Sequence, residues 1–113
     1  MRRARWHVPV GEILEALPGP DGARTARVFD RGDLRVELYA PRGTDEQAPH
    51  ERDELYIVVA GDGAFECAGA TVSFAPGDLL FVPAGVDHRF RGFSDDFAAW
   101  VVFFGPQGGY GVG

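Results

Sequence analysis

Hydrophobic and polar positions alternate with a period of two along most of this chain, which is the spacing of half-buried β-strands. In residues 33–40, for example, Leu34, Val36 and Leu38 alternate with Arg35 and Glu37. Glycine, proline and aspartate residues that favour turns separate the runs. The pattern predicts strands at residues 25–30, 33–40, 55–60, 64–68, 71–74, 79–82, 88–93 and 97–104.

The first 24 residues have a different pattern. Trp6 and Val8 alternate with His7, which predicts an edge strand within residues 1–10. In residues 11–17 the apolar side chains share one helical face, which predicts a short helix that packs on the sheet. We therefore expect one domain with an N-terminal strand and helix (1–24), a barrel (25–104) and a loose, glycine-rich tail (105–113).

The succession of short strands, with no helical pattern after Leu17, indicates an antiparallel sandwich or barrel. Residues 97–104 are apolar at every position, so both faces of that strand should be covered. Either the N-terminal segment or a second subunit could cover the outer face.

The composition narrows the class of protein. A chain of 113 residues can form one packed core but not two. Its net charge of −6 disfavours a nucleic-acid-binding protein, which usually has a basic surface. No stretch has the length of a membrane span or the form of a signal peptide, so we expect a cytoplasmic protein with no membrane partner. The single cysteine, Cys67, cannot form an intramolecular disulfide.

The candidate chemistry begins where the chain leaves Pro49. If the chain is extended from there, His50 and Glu54 point to the same face, because side chains alternate in a strand. An imidazole and a carboxylate are good ligands for a divalent cation. A further histidine, His88, follows a Pro-x-Gly turn at residues 83–85 and begins the next predicted strand.

These two stretches resemble the motifs of the cupin superfamily. The second cupin motif, G-x5-P-x-G-x2-H, is matched without a gap by Gly77, Pro83, Gly85 and His88. The latter part of the first motif, H-x3-E-x6-G, is matched by His50, Glu54 and Gly61. The resemblance implies an all-β fold, an antiparallel double-stranded β-helix or jelly-roll barrel, preceded here by a short N-terminal helix.

The chain departs from the first motif near its beginning. Ala48 occupies the position of the motif's first histidine, and the leading glycine, Gly43, is displaced by one residue. Gly92 stands where the second motif often ends in asparagine. Gln47 could supply an amide oxygen instead of the missing imidazole, but its parity is opposite to that of His50 unless the chain is bulged there.

The resemblance implies that His50, Glu54 and His88 form a two-histidine, one-carboxylate set that binds one divalent transition metal. Iron, zinc, manganese and nickel all suit these ligands, and the sequence does not choose among them. The alternative is a metal-free barrel in which the three side chains hydrogen-bond to one another or to water. Small cupins are commonly dimers, so the resemblance also implies a homodimer.

Several neighbours of this set are candidates for further roles. Tyr56 shares the parity of Glu54 and is the candidate catalytic residue, although a tyrosine in a strand more often serves in packing. Arg52 has the same parity and could bind an anionic substrate or form an ion pair at the rim. We predict that inward-pointing side chains line an apolar substrate pocket, although parity alone does not separate lining a pocket from filling the core; they are Phe81, Phe90, Trp100, Val102 and Phe104.

Three functions are consistent with these features. The first is a mononuclear metal-dependent enzyme, dioxygenase-like or an isomerase or lyase, that acts on a small organic molecule. The second is a non-catalytic module that binds a small ligand or a metal. The third is a purely structural barrel. One fold hosts many chemistries, so the fold does not choose among them.

Overall fold

The computed structural model describes residues 6–45 and 47–110 of the chain. A short helix, α1, spans Val10–Glu15, and a 3-10 turn spans Pro20–Gly22. The strands in the described residues are β1 (Thr25–Arg31), β2 (Leu34–Tyr39), β3 (Asp53–Ala60), β4 (Gly63–Cys67), β5 (Ala70–Phe74), β6 (Leu79–Val82), β7 (His88–Arg91) and β8 (Ala98–Phe104).

These strands form two antiparallel sheets. The larger sheet has the order β1-β2-β8-β3-β6, and the smaller has the order β5-β4-β7. The hydrophobic core lies between them, because its buried cluster combines Tyr56 and Val101 of the larger sheet with Phe65 and Phe90 of the smaller one. The predicted all-β antiparallel fold with one short N-terminal helix is confirmed.

The register of the larger sheet decides which side chains enter the barrel. Residues paired directly across two strands point to the same face of a sheet. One such row consists of Arg35, Phe103, Glu54 and Val82, and a second row consists of Glu37, Val101, Tyr56 and Leu80. Since Tyr56 and Val101 belong to the core, the charged side chains of β2 lie on the inner face.

Both ends of the chain differ from the prediction. Residues 6–9 form no strand, so the predicted edge strand is wrong for the part that is described, and residues 1–5 lie outside it. The tail is not loose as far as residue 110. The Gly108 N–H donates to the Glu51 carbonyl at 2.6 Å and the Tyr110 N–H to Asp53 Oδ2 at 3.3 Å. Residues 105–110 therefore pack against the start of β3, whereas residues 111–113 lie outside the described part.

The outer face of the larger sheet carries exposed apolar side chains. Ile57, Leu79 and Phe81 are 39%, 62% and 50% exposed, and they lie side by side on β3 and β6. A homodimer in which a second subunit covers these side chains stays a prediction. Within the described ranges, no helix has the length and hydropathy needed to cross a bilayer.

Candidate metal centre

Three ligand-type side chains meet inside the barrel. Glu54 lies on β3, His88 is the first residue of β7, and His50 lies in the loop before β3. Glu54 Oε1 is 3.0 Å from His88 Nε2 and 3.8 Å from His50 Nε2. One ligand atom from each residue lies within 4.8 Å of the other two. The structure thus brings together the three side chains that the sequence predicts as metal ligands.

The loop that carries His50 is fixed to the Pro-x-Gly turn before β7. The Gly85 N–H donates to the His50 carbonyl at 2.7 Å, and the Ala84 N–H donates to Asp53 Oδ1 at 2.9 Å. Gly85 has a φ of +78°, a conformation that glycine adopts without strain. These contacts hold His50 over Glu54 even though β3 begins only at Asp53.

The Glu54 carboxylate is buried without a hydrogen-bond donor. Its side chain is 0% exposed, and among the described residues no group donates a hydrogen bond to either of its oxygens. An ionised carboxylate in such a place costs several kcal/mol unless a positive charge lies next to it. The site therefore requires a cation or a proton beside Glu54.

The tautomer of neutral His88 adds to this requirement, because it leaves no proton on the nitrogen that faces Glu54. His88 Nδ1 lies 3.0 Å from the Val86 carbonyl, which can only accept, so Nδ1 carries the proton of the neutral ring. Nε2 then presents a lone pair to Glu54 Oε1 at 3.0 Å. Burial by itself lowers the pKa of His88, but the hydrogen bond that a protonated Nε2 can donate to Glu54, the Val86 carbonyl at Nδ1 and nearby negative charge raise this pKa overall. A proton or a metal ion on Nε2 removes the repulsion between the two lone pairs.

The donor set and its spacing fit a divalent transition metal. In tetrahedral or octahedral sites with bonds of about 2.1 Å, adjacent ligand atoms lie roughly 3.0 to 3.4 Å apart. The separation of Glu54 Oε1 from His88 Nε2 falls in that range, and its separation from His50 Nε2 is slightly longer. A histidine that donates Nδ1–H to a backbone carbonyl, as His88 does, is also the usual arrangement of a metal ligand.

Tyr56 and Gln47 complete the surroundings of the ligand set. The Tyr56 hydroxyl donates to Gln47 Oε1 at 2.8 Å and lies 3.1 Å from His88 Nε2. Burial, and then the Glu54 charge, raise the pKa of Tyr56 well above its ordinary value of 10.0. The hydroxyl is therefore a neutral donor at physiological pH. Because Tyr56 is fully buried, it can orient the ligands, whereas its catalytic role stays a prediction.

A cleft of about 600 Å³ opens beside His50. Its lining includes Arg35, Glu37, His50, Arg52 and Phe103. The His50 side chain is 33% exposed whereas those of Glu54 and His88 are 0% exposed, so His50 is the ligand-type residue that faces this cleft. Phe103 packs edge-on against the His50 ring, with the two centroids 4.9 Å apart.

Of the residues predicted to line a substrate pocket, some line this cleft and others do not. Arg52 lines the cleft, where its guanidinium donates to the Asp33 carbonyl. Phe81 and Trp100 do not line it, and the prediction is wrong for both. Phe81 pairs with Leu55 and Trp100 with Ile57, each one residue out of step with the inward Glu54 and Tyr56, so both rings lie on the outer face.

Three further pocket predictions are also corrected. Val102 pairs with Leu55 and Phe104 with Asp53, so both share the outer face and not the inner one. Phe90 does point inward, but it is 1% exposed and packs among the rings of Tyr56, Phe65 and Phe97. It fills the core and does not line a pocket.

The sequence reasoning missed Glu37 and Phe103. Burial raises the pKa of Glu37, and the nearby Arg35, Arg27 and His50 only partly oppose that effect. Its position opposite Val101, in the same row as Tyr56, becomes visible only when the register is known. Phe103 was hidden by the uniformly apolar β8, in which no alternation marks the inner face.

Comparison with known proteins agrees with this architecture. The cupin domain family matches residues 35–104. An uncharacterised protein of Streptomyces coelicolor, SCO3923, is 40% identical over 89 residues, which cover 77% of this chain and 84% of that protein.

Two solved structures show the likeness in three dimensions. A cupin-2 domain-containing protein from Shewanella frigidimarina superposes with a TM-score of 0.69 at 14% identity, over 87% of this chain and 94% of that one. The DMSP lyase DddQ from Ruegeria pomeroyi gives a TM-score of 0.64 at 26% identity, over 72% of this chain and 46% of that one. The first of these shows the shared fold alone.

Proposed function

This chain belongs to the cupin superfamily, and on that premise we propose that it binds one divalent transition metal and acts at that metal on a small organic molecule. His50, Glu54 and His88 hold the metal, which is iron, zinc, manganese or nickel. The observation that carries this proposal is the fully buried Glu54 carboxylate, which accepts no hydrogen bond among the described residues and lies 3.0 Å from Nε2 of His88. A metal ion would neutralise the charge of the Glu54 carboxylate and bind the Nε2 lone pair of His88.

A metal held by these ligands supplies Lewis-acid or O₂-activating chemistry to a bound substrate. The chain's own contribution is to admit and orient that substrate. The cleft beside His50 leads to the ligand set, and its lining combines the guanidinium groups of Arg35 and Arg52 with the carboxyl groups of Glu37 and Glu51, which suits a small polar organic molecule. The reaction is dioxygenase-like, or an isomerisation or lyase reaction, and the likeness to a DMSP lyase supports including lyase assays.

Glu37 is the group in this cleft that is best placed to exchange a proton with a substrate. Its carboxyl lines the cleft, and burial raises its pKa. Among the described residues no hydrogen bond ties it to another group. A carboxyl with a raised pKa is suited to general acid–base work near neutral pH.

The second candidate is a non-catalytic module that binds a metal or a small ligand in the same place. Ala48 in the position of the motif's first histidine favours this alternative, because it removes one imidazole from the set. Binding of a ligand without turnover would raise the melting temperature and form no product.

Metal content and turnover together separate these functions. We expect freshly purified protein to contain close to one transition metal per chain by inductively coupled plasma mass spectrometry, and His88→Ala to lose it. Iron directs the search to O₂ consumption with small acids, and zinc, manganese or nickel direct it to isomerase and lyase assays. Metal-dependent turnover supports the enzyme, and metal binding without turnover supports the module. A metal-free wild type that takes up none of the four metals overturns the metal-dependent enzyme and leaves only a module that binds a small ligand, which a rise in melting temperature with that ligand would show.

A further inference from the structure

Gln47 reaches into the ligand cluster although its parity along an extended chain predicts the opposite. The parity rule fails because residues 47–50 are not part of a strand and β3 begins only at Asp53. The Gln47 side chain is half-buried, and its Oε1 lies 3.3 Å from His50 Nε2. The Gln47 amide oxygen therefore lies beside His50 in the ligand cluster.

The orientation of the Gln47 amide is fixed by its partners. Its Nε2 donates to Asp45 Oδ2 at 3.1 Å, and an ionised carboxylate can only accept. On the other side, the Tyr56 hydroxyl donates to Oε1 at 2.8 Å. The Asp45 carboxylate demands this assignment of oxygen and nitrogen, and the donating Tyr56 hydroxyl is compatible with it, so the carbonyl oxygen faces the cluster.

Asp45 makes this orientation rigid. The carboxylate is 2% exposed and also accepts hydrogen bonds from the Phe90 N–H at 2.8 Å and the Tyr39 hydroxyl at 2.6 Å. The Gln47 N–H donates to the same carboxylate at 3.1 Å. Asp45 is thus a positioning residue. Its carboxylate accepts hydrogen bonds from both the backbone N–H and the side-chain amide of Gln47.

Five ligand-type atoms form a closed ring. In order they are Gln47 Oε1, Tyr56 OH, His88 Nε2, Glu54 Oε1 and His50 Nε2, with successive separations of 2.8, 3.1, 3.0, 3.8 and 3.3 Å. The separation of Gln47 Oε1 from His50 Nε2 is that of adjacent ligands around one metal, about 3.0 to 3.4 Å. The amide oxygen is therefore spaced as a ligand is.

We infer that Gln47 is a fourth protein ligand of the metal through Oε1 and that it replaces the imidazole absent at position 48; this rests on the proposed metal site. A neutral amide oxygen leaves the charge of the site as an imidazole would, because Glu54 remains the only anionic ligand. Tyr56 keeps its proton and holds Oε1 in place by donating to it. The substitution turns a nitrogen-rich site into one with two oxygen and two nitrogen ligands.

Selective labelling tests the contact directly, because the chain contains only two glutamines, Gln47 and Gln107. Gln107 donates to Glu51 Oε2 at 2.8 Å and takes no part in the ring, so it is an internal control. With ¹⁵N-labelled glutamine side chains, adding ZnCl₂ to chelator-stripped protein should shift the Gln47 amide resonance stoichiometrically and leave that of Gln107 in place. Zn²⁺ binding with no shift of Gln47 overturns the inference.

Two variants extend the test to affinity. Gln47→Leu keeps the approximate shape and removes the oxygen, and we expect Zn²⁺ to bind at least about tenfold more weakly, as happens even when groups next to a ligand are lost. Gln107→Leu should bind as the wild type does. Equal affinity in Gln47→Leu and wild type overturns the fourth ligand and leaves the three-residue site intact, whereas a wild type that binds no Zn²⁺ overturns both proposals.

Discussion

Glu54 Oε1 lies 3.0 Å from His88 Nε2, and in neutral His88 no proton lies between them, because Nδ1 donates to the Val86 carbonyl. Two buried lone pairs face each other in that state, unless Nε2 gains a proton or a metal ion. Such a contact destabilises the metal-free protein and favours any cation that enters. The same contact therefore lowers the stability of the metal-free protein and raises its affinity for a metal.

The first prediction follows from this opposition. Glu54→Gln removes the buried charge, and its amide can donate to His88 Nε2. We expect the free energy of unfolding of the metal-free protein to rise by about 1–3 kcal/mol, while Zn²⁺ binding is lost. Urea unfolding in the presence of a chelator measures the first effect. A less stable Glu54→Gln protein would show that the carboxylate is already neutralised.

Tyr56→Phe has the opposite effect on stability. The hydroxyl donates to Gln47 Oε1 and lies beside His88 Nε2, so its removal leaves buried acceptors unsatisfied. We expect a loss of about 1–3 kcal/mol in metal-free protein. The loss should shrink when Zn²⁺ is present, since the metal then engages the ligand atoms. An equal loss with and without Zn²⁺ would contradict this role for Tyr56.

Glu37 provides a prediction about pH. Burial raises its folded-state pKa above the ordinary value of 4.5, so the folded state holds its proton more tightly than the unfolded state. The resulting stability is present below pH 4.5 and is lost as the pH rises through the folded pKa. Glu37→Gln should therefore melt at a higher temperature than the wild type at pH 7 and lose this advantage as the pH falls below 4.5. An advantage that is unchanged across this range would show that Glu37 is not destabilised by burial.

Gly61, the glycine that ends the first motif, is required by space as well as by conformation. Its φ is +86°, and a Cβ there would lie 2.5 Å from the Phe97 Cα. Gly77 is a matched control, with a φ of +91° and no atom within 4 Å of its Cβ position. We expect Gly61→Ala to cost about 1–3 kcal/mol more than Gly77→Ala in denaturant unfolding. Equal costs would mean that the loop before β8 yields to the methyl group.

Much of the fold could be predicted from the sequence because turn residues and alternation mark the strands. The predicted bounds of β6 are correct to the residue, and the motif spacing correctly brings together His50, Glu54 and His88. What alternation cannot supply is the inner face of a strand that is apolar throughout. In β8 the inner face carries Phe103 and Val101 and not Trp100, a difference that only the pairing with Glu54 and Tyr56 reveals.

The remaining misses have the same kind of cause. Gln47 reaches the ligand set because a loop does not obey the parity of a strand, and its direction depends on the distant partners Asp45 and Tyr56. The polar side chain of Glu37 suggests a position in solvent, but the register of β2 and β8 places it in the same inward row as Tyr56. The barrel interior is therefore polar near the site. Both residues belong to the proposed site, where local rules of sequence are most often broken.

The most direct test of the central claim is a calorimetric titration of chelator-stripped protein with Zn²⁺, with wild type and Glu54→Gln compared under the same conditions. We predict one Zn²⁺ per chain for the wild type and an affinity at least about a hundredfold lower for Glu54→Gln, since the variant lacks the anionic ligand. Circular dichroism of both proteins serves as the control for folding. Equal binding by the two folded proteins, or no binding by the wild type, would contradict a metal centre at Glu54.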